Sequence, residues 1–398
     1  MLPPPDEAMP VKFFAPSSDP AEGLGVLMLF RLIEEAVPAF FRPDRAIRIA
    51  RAPGRLDVLG GLAKDSAALA LQLPIAEGAC AAIQARDDDL VRLWSPGRDG
   101  SRTQLLSMRL PDLGLPGAPI DWSEARALLG GDPRDRWAGY LLGSLLVLAR
   151  EHGLQPRHGA ELLVHSDVPE RCGVAASTAL TIAALRAFAL LHGLDLDAGE
   201  LTRACLLVER EVLQAPHRAR DARTVASAVA GELLALAGDE LVARVAVPSD
   251  LEFVALDSGA RASVVDGDVA AQAPVERFLE LLAAPPTRAH RDELGELLFA
   301  AHDQYAAAGR SDPATDFLVD QARRRRSAGG AVLGAKATGR GGGGAVLLLG
   351  EQGKVWYEAL RIKKALLQET GHSGHIFRWS SPGALSFGAI ELTPTGNG

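Results

Sequence analysis

The sequence predicts an α+β fold in two consecutive parts, and three features predict it. Strand-like apolar runs recur between residues 46 and 166, long apolar helical stretches take over after them, and a second helix-then-strand series closes the chain beyond residue 252. A chain of 398 residues with 47% hydrophobic and 23% charged side chains can bury a sizeable core. Its length suits roughly two domains of about 150 to 200 residues each. The expected division is an N-terminal extension over 1–44, a first domain over 45–245 and a second over 246–398.

Taken in order, the extension begins Pro-rich and passes into LGVLMLFRLIEEAVPAFF, whose apolar spacing suits a helix packed on the domain that follows. From AIRIAR at residue 46, strands are expected at ALALQL, GACAAIQA, LVRLWS and AELLVH, separated by Gly, Asp and Pro clusters. The stretch 174–192, VAASTALTIAALRAFALLH, is apolar almost all round and stops at Gly193, the pattern of a buried helix with a glycine C-cap. Asp197 and Glu200 then have capping-box spacing, and the helix they open should run through Glu209 until Pro216. After EFVALDSG near 252, a helix-then-strand series is expected to close the second domain with strands at AVLLLG and FGAIEL. The RRRR run at 323–326, beside Asp316 and Asp320, suits a solvated helix end.

Charge and cysteine content exclude several function classes. A formal charge of −8 and a pI near 5.7 argue against nucleic acid as a partner, since non-specific binding needs a basic surface to displace counterions. Cys80, Cys172 and Cys205 form no CxxC pair, offer no zinc site and are too few for a disulfide framework, so a reducing compartment is expected. The start lacks a basic segment followed by an apolar one, and the longest apolar stretch, YLLGSLLVLA, is about half a membrane span. A cytoplasmic protein with no membrane partner and a small-molecule ligand is expected; its oligomeric state is not legible.

Three segments carry chemistry suited to phosphate. RAPGRLDVLGGLAKDS at 51–66 follows a strand and sets Arg55, Asp57, Lys64 and Asp65 among turn-forming glycines; alone it also reads as an ordinary strand–turn–strand. HSDVPERCGVAASTAL at 165–180 runs a turn into a helix start, where unpaired N–H groups and the helix dipole attract phosphate. Ser177, in its first turn, either reaches a metal or bonds its own helix backbone. GAKATGRGGGGAVLLLG at 334–350 contains a formal GxGxxG. Its glycines run into a strand rather than a helix, so it is not a dinucleotide loop, and they allow close approach to a ligand or another loop.

In this order the three segments resemble the signature motifs of the GHMP kinases, the superfamily of galactokinase, homoserine kinase, mevalonate kinase and phosphomevalonate kinase. The likeness covers about residues 46–392. It is nearest to the kinase domain of the L-arabinokinases and to galactokinases through APGRLDVLGG, LPIAEGACAAIQ, GAKATGRGGGG and SSPGALSFGAIEL. The resemblance implies an N-terminal ribosomal-S5-like α/β domain that binds ATP and a C-terminal ferredoxin-like α+β domain. It also implies a kinase moving the γ-phosphoryl of ATP to a sugar hydroxyl, with ATP and Mg²⁺ as cofactors.

Carried over residue by residue, QAPHRARDARTVAS at 214–227 is similar to the segment with the family's catalytic aspartate, which places Asp221 in that role and Arg55 beside it. Gly173, Val174, Ala175, Ala176 and Ser177 fall on the ATP-phosphate loop, and Ser177 and Glu209 on the two Mg²⁺ ligands. Asp57, Lys64, Asp65, Asp257, Gly341 and Gly342 fall toward the substrate, and AGRSDPATD at 308–316 also matches the arabinokinase pattern. The family's pattern has an aspartate and a tyrosine where this chain has Lys64 and Asp65. Either Asp65 binds the sugar after a small register shift, or Lys64 faces a substrate carboxylate, or Lys64 simply reaches solvent. Glu170, Arg171, Cys172, Ala175 and Ala176 replace glycines and serines of the loop, and His217 to Arg220 make the approach to Asp221 unusually basic. Three functions stay open: a monosaccharide 1-kinase, a uronic-acid or other small-alcohol kinase, and a silent nucleotide- or sugar-binding sensor.

Overall fold

The computed structural model describes residues 20–36, 40–61, 68–96, 102–216, 218–261 and 274–393. In chain order the elements are α1 (Pro20–Arg31), β1 (Ile47–Leu59), β2 (Leu69–Ala85), β3 (Leu90–Trp94), β4 (Leu105–Arg109), α2 (Trp122–Leu129), α3 (Arg136–His152), β5 (Ala160–Ser166), α4 (Ala176–His192), α5 (Ala198–Leu207), α6 (Ala219–Ser227), β6 (Glu232–Ala237) and β7 (Glu240–Ala246). There follow β8 (Leu251–Asp257), α7 (Val275–Ala283), α8 (Arg288–Ala307), α9 (Pro313–Ser327), β9 (Val332–Ala337), β10 (Ala345–Glu351), α10 (Val355–Thr370), β11 (Ile376–Phe377), α11 (Ala384–Phe387) and β12 (Ile390–Leu392). Among the described residues two sheets form. One has eight strands, with the path β12-β1-β2-β5-β3-β4, β6 attached to β2 and β7 to β6. The other has four, in the order β11-β8-β10-β9.

The chain changes sheet between β7 and β8, at residues 247–250, and returns at its end, where β12 pairs antiparallel with β1 (Ile49 opposite Ile390). The large sheet packs α3, α4 and α5 over an extended apolar core that includes Leu71, Leu145, Ile182 and Phe188. The small sheet and α9 and α10 enclose a second cluster around Leu256, Leu318, Leu348 and Ile362. Val26, Leu29, Phe30 and Ile33, from α1 and the turn after it, pack with Phe40 and Phe41 against Ile47, Cys80 and Leu163, as the amphipathic spacing predicts.

Three strand expectations need correction. FGAIEL, expected in the second domain, supplies β12 to the eight-stranded sheet, beside β1. ALALQL and GACAAIQA are one strand, β2, with Pro74 inside it. Beyond β1, β2 pairs with β6 only over 69–72 and with β5 only over 79–85. Pro74 lies in the gap between these partners, where its missing N–H removes no ladder bond on that edge. Likewise Arg55 and Asp57 are not turn residues: β1 continues to Leu59 through irregularities between Pro53 and Arg55 and between Asp57 and Leu59. The helix opened by the Asp197–Glu200 capping box is α5, and it leaves α geometry for a π-helical turn at Val208–Val212. The RRRR run ends α9, with Arg323 paired to Asp303 and Arg326 to Glu296. The helix expected over 174–192 begins at Ala176, two residues later, and ends at the predicted Gly193 cap, which is left-handed.

α8 crosses β9 at backbone contact. A Cβ on Gly295 would overlap the Leu333 carbonyl, and one on Gly334 would meet the Gly295 backbone. Gly295→Ala should therefore push α8 off the sheet and cost about 3 kcal/mol, the upper end of ordinary overpacking. Urea unfolding at 25 °C checks this; a change under about 0.5 kcal/mol, the size of an ordinary surface substitution, would contradict the crossing.

Candidate active site

Burial and strand register build the central network. Arg55 is 3% exposed and Asp57 fully buried on β1, while Asp221 sits in the first turn of α6 at 8% exposure. The Arg55 guanidinium clasps Asp221 in a two-toothed bridge, Nε to Oδ1 at 2.9 Å and Nη2 to Oδ2 at 2.5 Å, and its Nη1 donates to the Gly173 carbonyl at 2.7 Å. Gln72 lies directly opposite Asp57 in the β1–β2 ladder. Its amide nitrogen donates to Asp57 Oδ1 (2.6 Å) and to Asp221 Oδ1 (2.7 Å), and its oxygen accepts from Thr224 Oγ1 (2.7 Å). Both hydrogens of one amide are thereby used to hold two carboxylates together.

The small sheet closes this network from its far side. Thr338 Oγ1 accepts from the Asp57 N–H at 2.6 Å, and Lys336 Nζ donates to the Asp57 carbonyl at 2.9 Å. Tyr305 donates to the Gly339 carbonyl at 2.8 Å and lies 5.0 Å, centroid to Nζ, from Lys336. Burial lowers the Lys336 ammonium to about 8, with Asp57 opposing. Burial also disfavours the Asp221 carboxylate, but Arg55 outweighs it and holds that group well below the usual range, so it is ionised at neutral pH.

The phosphate-loop candidate joins the network through Gly173. Arg171, Gly173 and Ala175 have φ of 56°, 75° and 64°, so alternate residues of the loop are left-handed, two of them without being glycine. α4 starts directly after Ala175, with no side chain capping it, which leaves its first N–H groups directed at the loop mouth. The Arg55 N–H binds the Val174 carbonyl at 3.0 Å, fastening the loop to β1. Ser177 Oγ lies 3.3 Å and Thr178 Oγ1 2.9 Å from Glu209 Oε1, and Glu209 Oε2 is buried without a hydrogen bond. Burial raises the Glu209 carboxyl to about 7, only partly offset by the Thr178 hydroxyl.

The glycines of 339–344 serve loop-to-loop packing. A Cβ on Gly339 would lie 2.8 Å from the Gly173 carbonyl and one on Gly344 2.6 Å from that of Cys172. The Gly342 N–H binds the Arg310 carbonyl at 2.6 Å, and Gly341 packs on the same carbonyl. Asp257 accepts from Arg261 Nη1 at 2.8 Å, beside Cys172. Gly341, Gly342 and Asp257 thus stand behind the loop, with no described contact to Asp57 or Asp221. Lys64 and Asp65 lie outside the described residues. Sequence reasoning passed over Gln72, Thr178, Tyr305, Lys336 and Thr338. A polar residue at the centre of ALALQL and a lone lysine in the strand VLGAKA were the available signals.

Residues 139–231 match the family model of the GHMP kinases N terminal domain. The chain has the GHMP kinase fold. It is 35% identical over 258 residues to the L-arabinokinase of Arabidopsis thaliana, a match covering 59% of this chain and 25% of that one. It is 28% identical over 217 residues to the galactokinase of Chloroflexus aurantiacus, covering 54% of this chain and 50% of the relative. The chain therefore spans half or less of the length of these two relatives. The solved galactokinase of Lactococcus lactis, in complex with galactose, superposes with a TM-score of 0.68 at 17% identity, over 90% of this chain and 99% of that one. Mevalonate kinase of Methanococcus jannaschii follows the same GHMP kinase fold at a TM-score of 0.61 and 18% identity, over 84% and 98% of the two chains. Among the described residues no helix is long and apolar enough to cross a membrane, and the three cysteines are buried and unpaired.

Two outcomes test the geometry without reference to activity. Gln72→Leu leaves two buried carboxylates short of a donor and should cost about 3 kcal/mol in urea unfolding, whereas an unaltered midpoint would show that the amide does not hold them. Glu209 titrates at about 7 folded against an ordinary 4.5, so the folded state binds its proton more tightly. Its contribution is at its most favourable below about pH 4.5 and is lost as pH rises to about 7. Glu209→Gln should remove that decline, gaining on the parent by roughly 3 kcal/mol between pH 4.5 and 8 in metal-free buffer; parallel stability curves would contradict the assignment.

Proposed function

We propose that the chain is a Mg²⁺- and ATP-dependent small-molecule kinase, a monosaccharide 1-kinase of the arabinokinase and galactokinase kind. In this reading residues 45–245, with β12 added to their sheet, form the ATP-binding domain, and the four-stranded sheet with its helices forms the second. The observation that carries it is the placement of Arg55, one guanidinium bonded to the Asp221 carboxylate on one side and to the phosphate-loop carbonyl of Gly173 on the other. That arrangement sets a charged carboxylate beside the loop where a terminal phosphate would rest.

In the reaction the acceptor oxygen forms a bond to the γ-phosphorus while the bond from that phosphorus to the bridging oxygen of ADP breaks. The hydroxyl proton goes to Asp221 and then to solvent. A carboxylate held this far below its usual range is a weak base, so Asp221 orients the hydroxyl and takes the proton as the new bond forms. Arg55 keeps that carboxylate in place and offsets charge growing on the transferred group. The N–H groups of Gly173 to Ser177 supply the donors for phosphate oxygens.

The residues present fit a Mg²⁺ ion. The orphaned Glu209 Oε2 and the Ser177 hydroxyl are hard oxygen donors at the helix start. When bound, the ion would neutralise phosphate charge; Ser177 and Glu209 would hold it.

The test is ADP release from Mg-ATP with L-arabinose, galactose, glucuronate and galacturonate as acceptors. Asp221→Asn should lower turnover by at least about 100-fold while circular dichroism stays unchanged. Unaltered turnover in that variant would remove Asp221 from catalysis. A thermal shift with Mg-ATP but no ADP release with any acceptor would identify a silent nucleotide binder instead.

A further inference from the structure

The two oxygens of the Asp221 carboxylate are not equally occupied. A carboxylate accepts along two lone-pair directions on each oxygen. Arg55 takes one on each, Nε on Oδ1 at 2.9 Å and Nη2 on Oδ2 at 2.5 Å. The Gln72 amide nitrogen takes the second direction on Oδ1, at 2.7 Å. Among the described residues Oδ2 accepts from Arg55 alone, so its second lone pair is the one left open. The Asp221 side chain is 11% exposed, whereas that of Asp57, the other carboxylate on the same amide, is wholly buried. An incoming hydroxyl can therefore meet Asp221 and not Asp57.

The amide is held in one orientation. Its oxygen accepts from Thr224 Oγ1 at 2.7 Å, three residues beyond Asp221 on α6, and a flipped amide would set that oxygen against two carboxylates. Gln72 is fully buried and sits in the ladder opposite Asp57 on β1 and Leu234 on β6, so its backbone cannot follow a rotating carboxylate. Stability alone does not favour the arrangement. It draws two like charges to one amide and leaves Asp57 Oδ2 buried without a hydrogen bond.

Resting on the kinase reading, we infer that Gln72 is a positioning residue: by filling Asp221 Oδ1 it directs the acceptor hydroxyl to Oδ2. The hydroxyl donates its hydrogen to the open lone pair of Oδ2. Its oxygen bonds to the γ-phosphorus while the bond from that phosphorus to the bridging oxygen breaks, the electron pair leaving with ADP, and the proton passes to Oδ2 and then to solvent. Without the amide both carboxylate oxygens accept, and the hydroxyl divides between two seats. A misplacement of about 1 Å in a reacting group costs up to about 100-fold in rate.

The experiment measures acceptor phosphorylated and ADP released by the full chain with Mg-ATP, for the parent, Gln72→Met and Gln72→Glu. The acceptor is whichever of L-arabinose, D-galactose, D-glucuronate and D-galacturonate the parent turns over. Gln72→Met keeps the volume and removes the donor. It should lower kcat by at least about tenfold with KM for ATP unaltered, and lower the phosphorylated acceptor formed per ADP released, because water then reaches Oδ1. Parental kcat in this variant would overturn the inference and leave the kinase reading intact. So would losses of phosphorylation and ADP release in equal proportion, the mark of a merely structural role. Gln72→Glu gives a readout opposite to ordinary acid inactivation. When protonated its carboxylic acid restores one donor, and when ionised it sets a third carboxylate against Asp57 and Asp221. Its kcat should rise at least about threefold from pH 8 to pH 6 relative to the parent; a profile parallel to the parent's would overturn the inference. No ADP release by the parent with any of the four acceptors would overturn the kinase reading and the inference together. Should Gln72→Met fail to fold, the Gln72→Glu profile decides the point.

Discussion

Arg55 is the residue on which the rest of the arrangement depends. A guanidinium this deeply buried is tolerable only when its charge is matched and its donors are bonded. The fold meets that demand from three directions: Asp221 on α6, the Gly173 carbonyl of the loop before α4 and, at longer range, Asp57 on its own strand. Each partner is then fixed by the same requirement. α6 cannot rotate without stripping Asp221 from the bridge, and the loop cannot open at Gly173 without leaving Nη1 unpaired. The geometry of the candidate site follows from one buried ion.

The second sheet is bound into the same constraint. Lys336 and Thr338 hold the backbone of Asp57, while Gly339 and Gly344 bring their chain against the carbonyls of Gly173 and Cys172. The glycine run is therefore a surface by which one sheet seats on the loop before α4. Side chains there would force the two apart by more than packing could absorb. Gly341 and Gly342 extend that seat to Arg310, which explains why AGRSDPATD and GRGGGG, distant in sequence, occur in the same chain.

How much of this was legible depended on whether a residue's role was local. The helix over 176–192, its Gly193 stop and the Asp197–Glu200 box were legible because periodicity and capping act within a few residues. Pro74 misled because its tolerance depends on which strands flank β2, a matter of topology. Motif order led to Arg55, Asp221, Ser177 and Glu209, and the structure brings Arg55 to Asp221 and Ser177 to Glu209. Gln72 was illegible for the opposite reason: nothing near it in sequence shows that its strand partner is Asp57 and its other neighbour Asp221. Glu209, beside Arg210 and Glu211, has the sequence of a surface acid. It is buried because the π-helical turn at 208–212 shifts its register toward α4 and the hydroxyls of Ser177 and Thr178.

The same network explains why the loop before α4 can hold left-handed residues that are not glycine. Arg171 and Ala175 each cost about 1 kcal/mol or more in that conformation, and an isolated loop would relax. Here the Val174 carbonyl is fixed by the Arg55 N–H, the Gly173 carbonyl by the Arg55 side chain and the Cys172 carbonyl by the Ala345 N–H. Three consecutive carbonyls turned toward protein leave the intervening N–H groups free to face outward. Ala175 and Ala176 offer no side-chain donors, and this backbone arrangement needs none. What the loop offers an anion is set by where its carbonyls are tied, and those ties lead back to Arg55 and to the glycine seat of the second sheet.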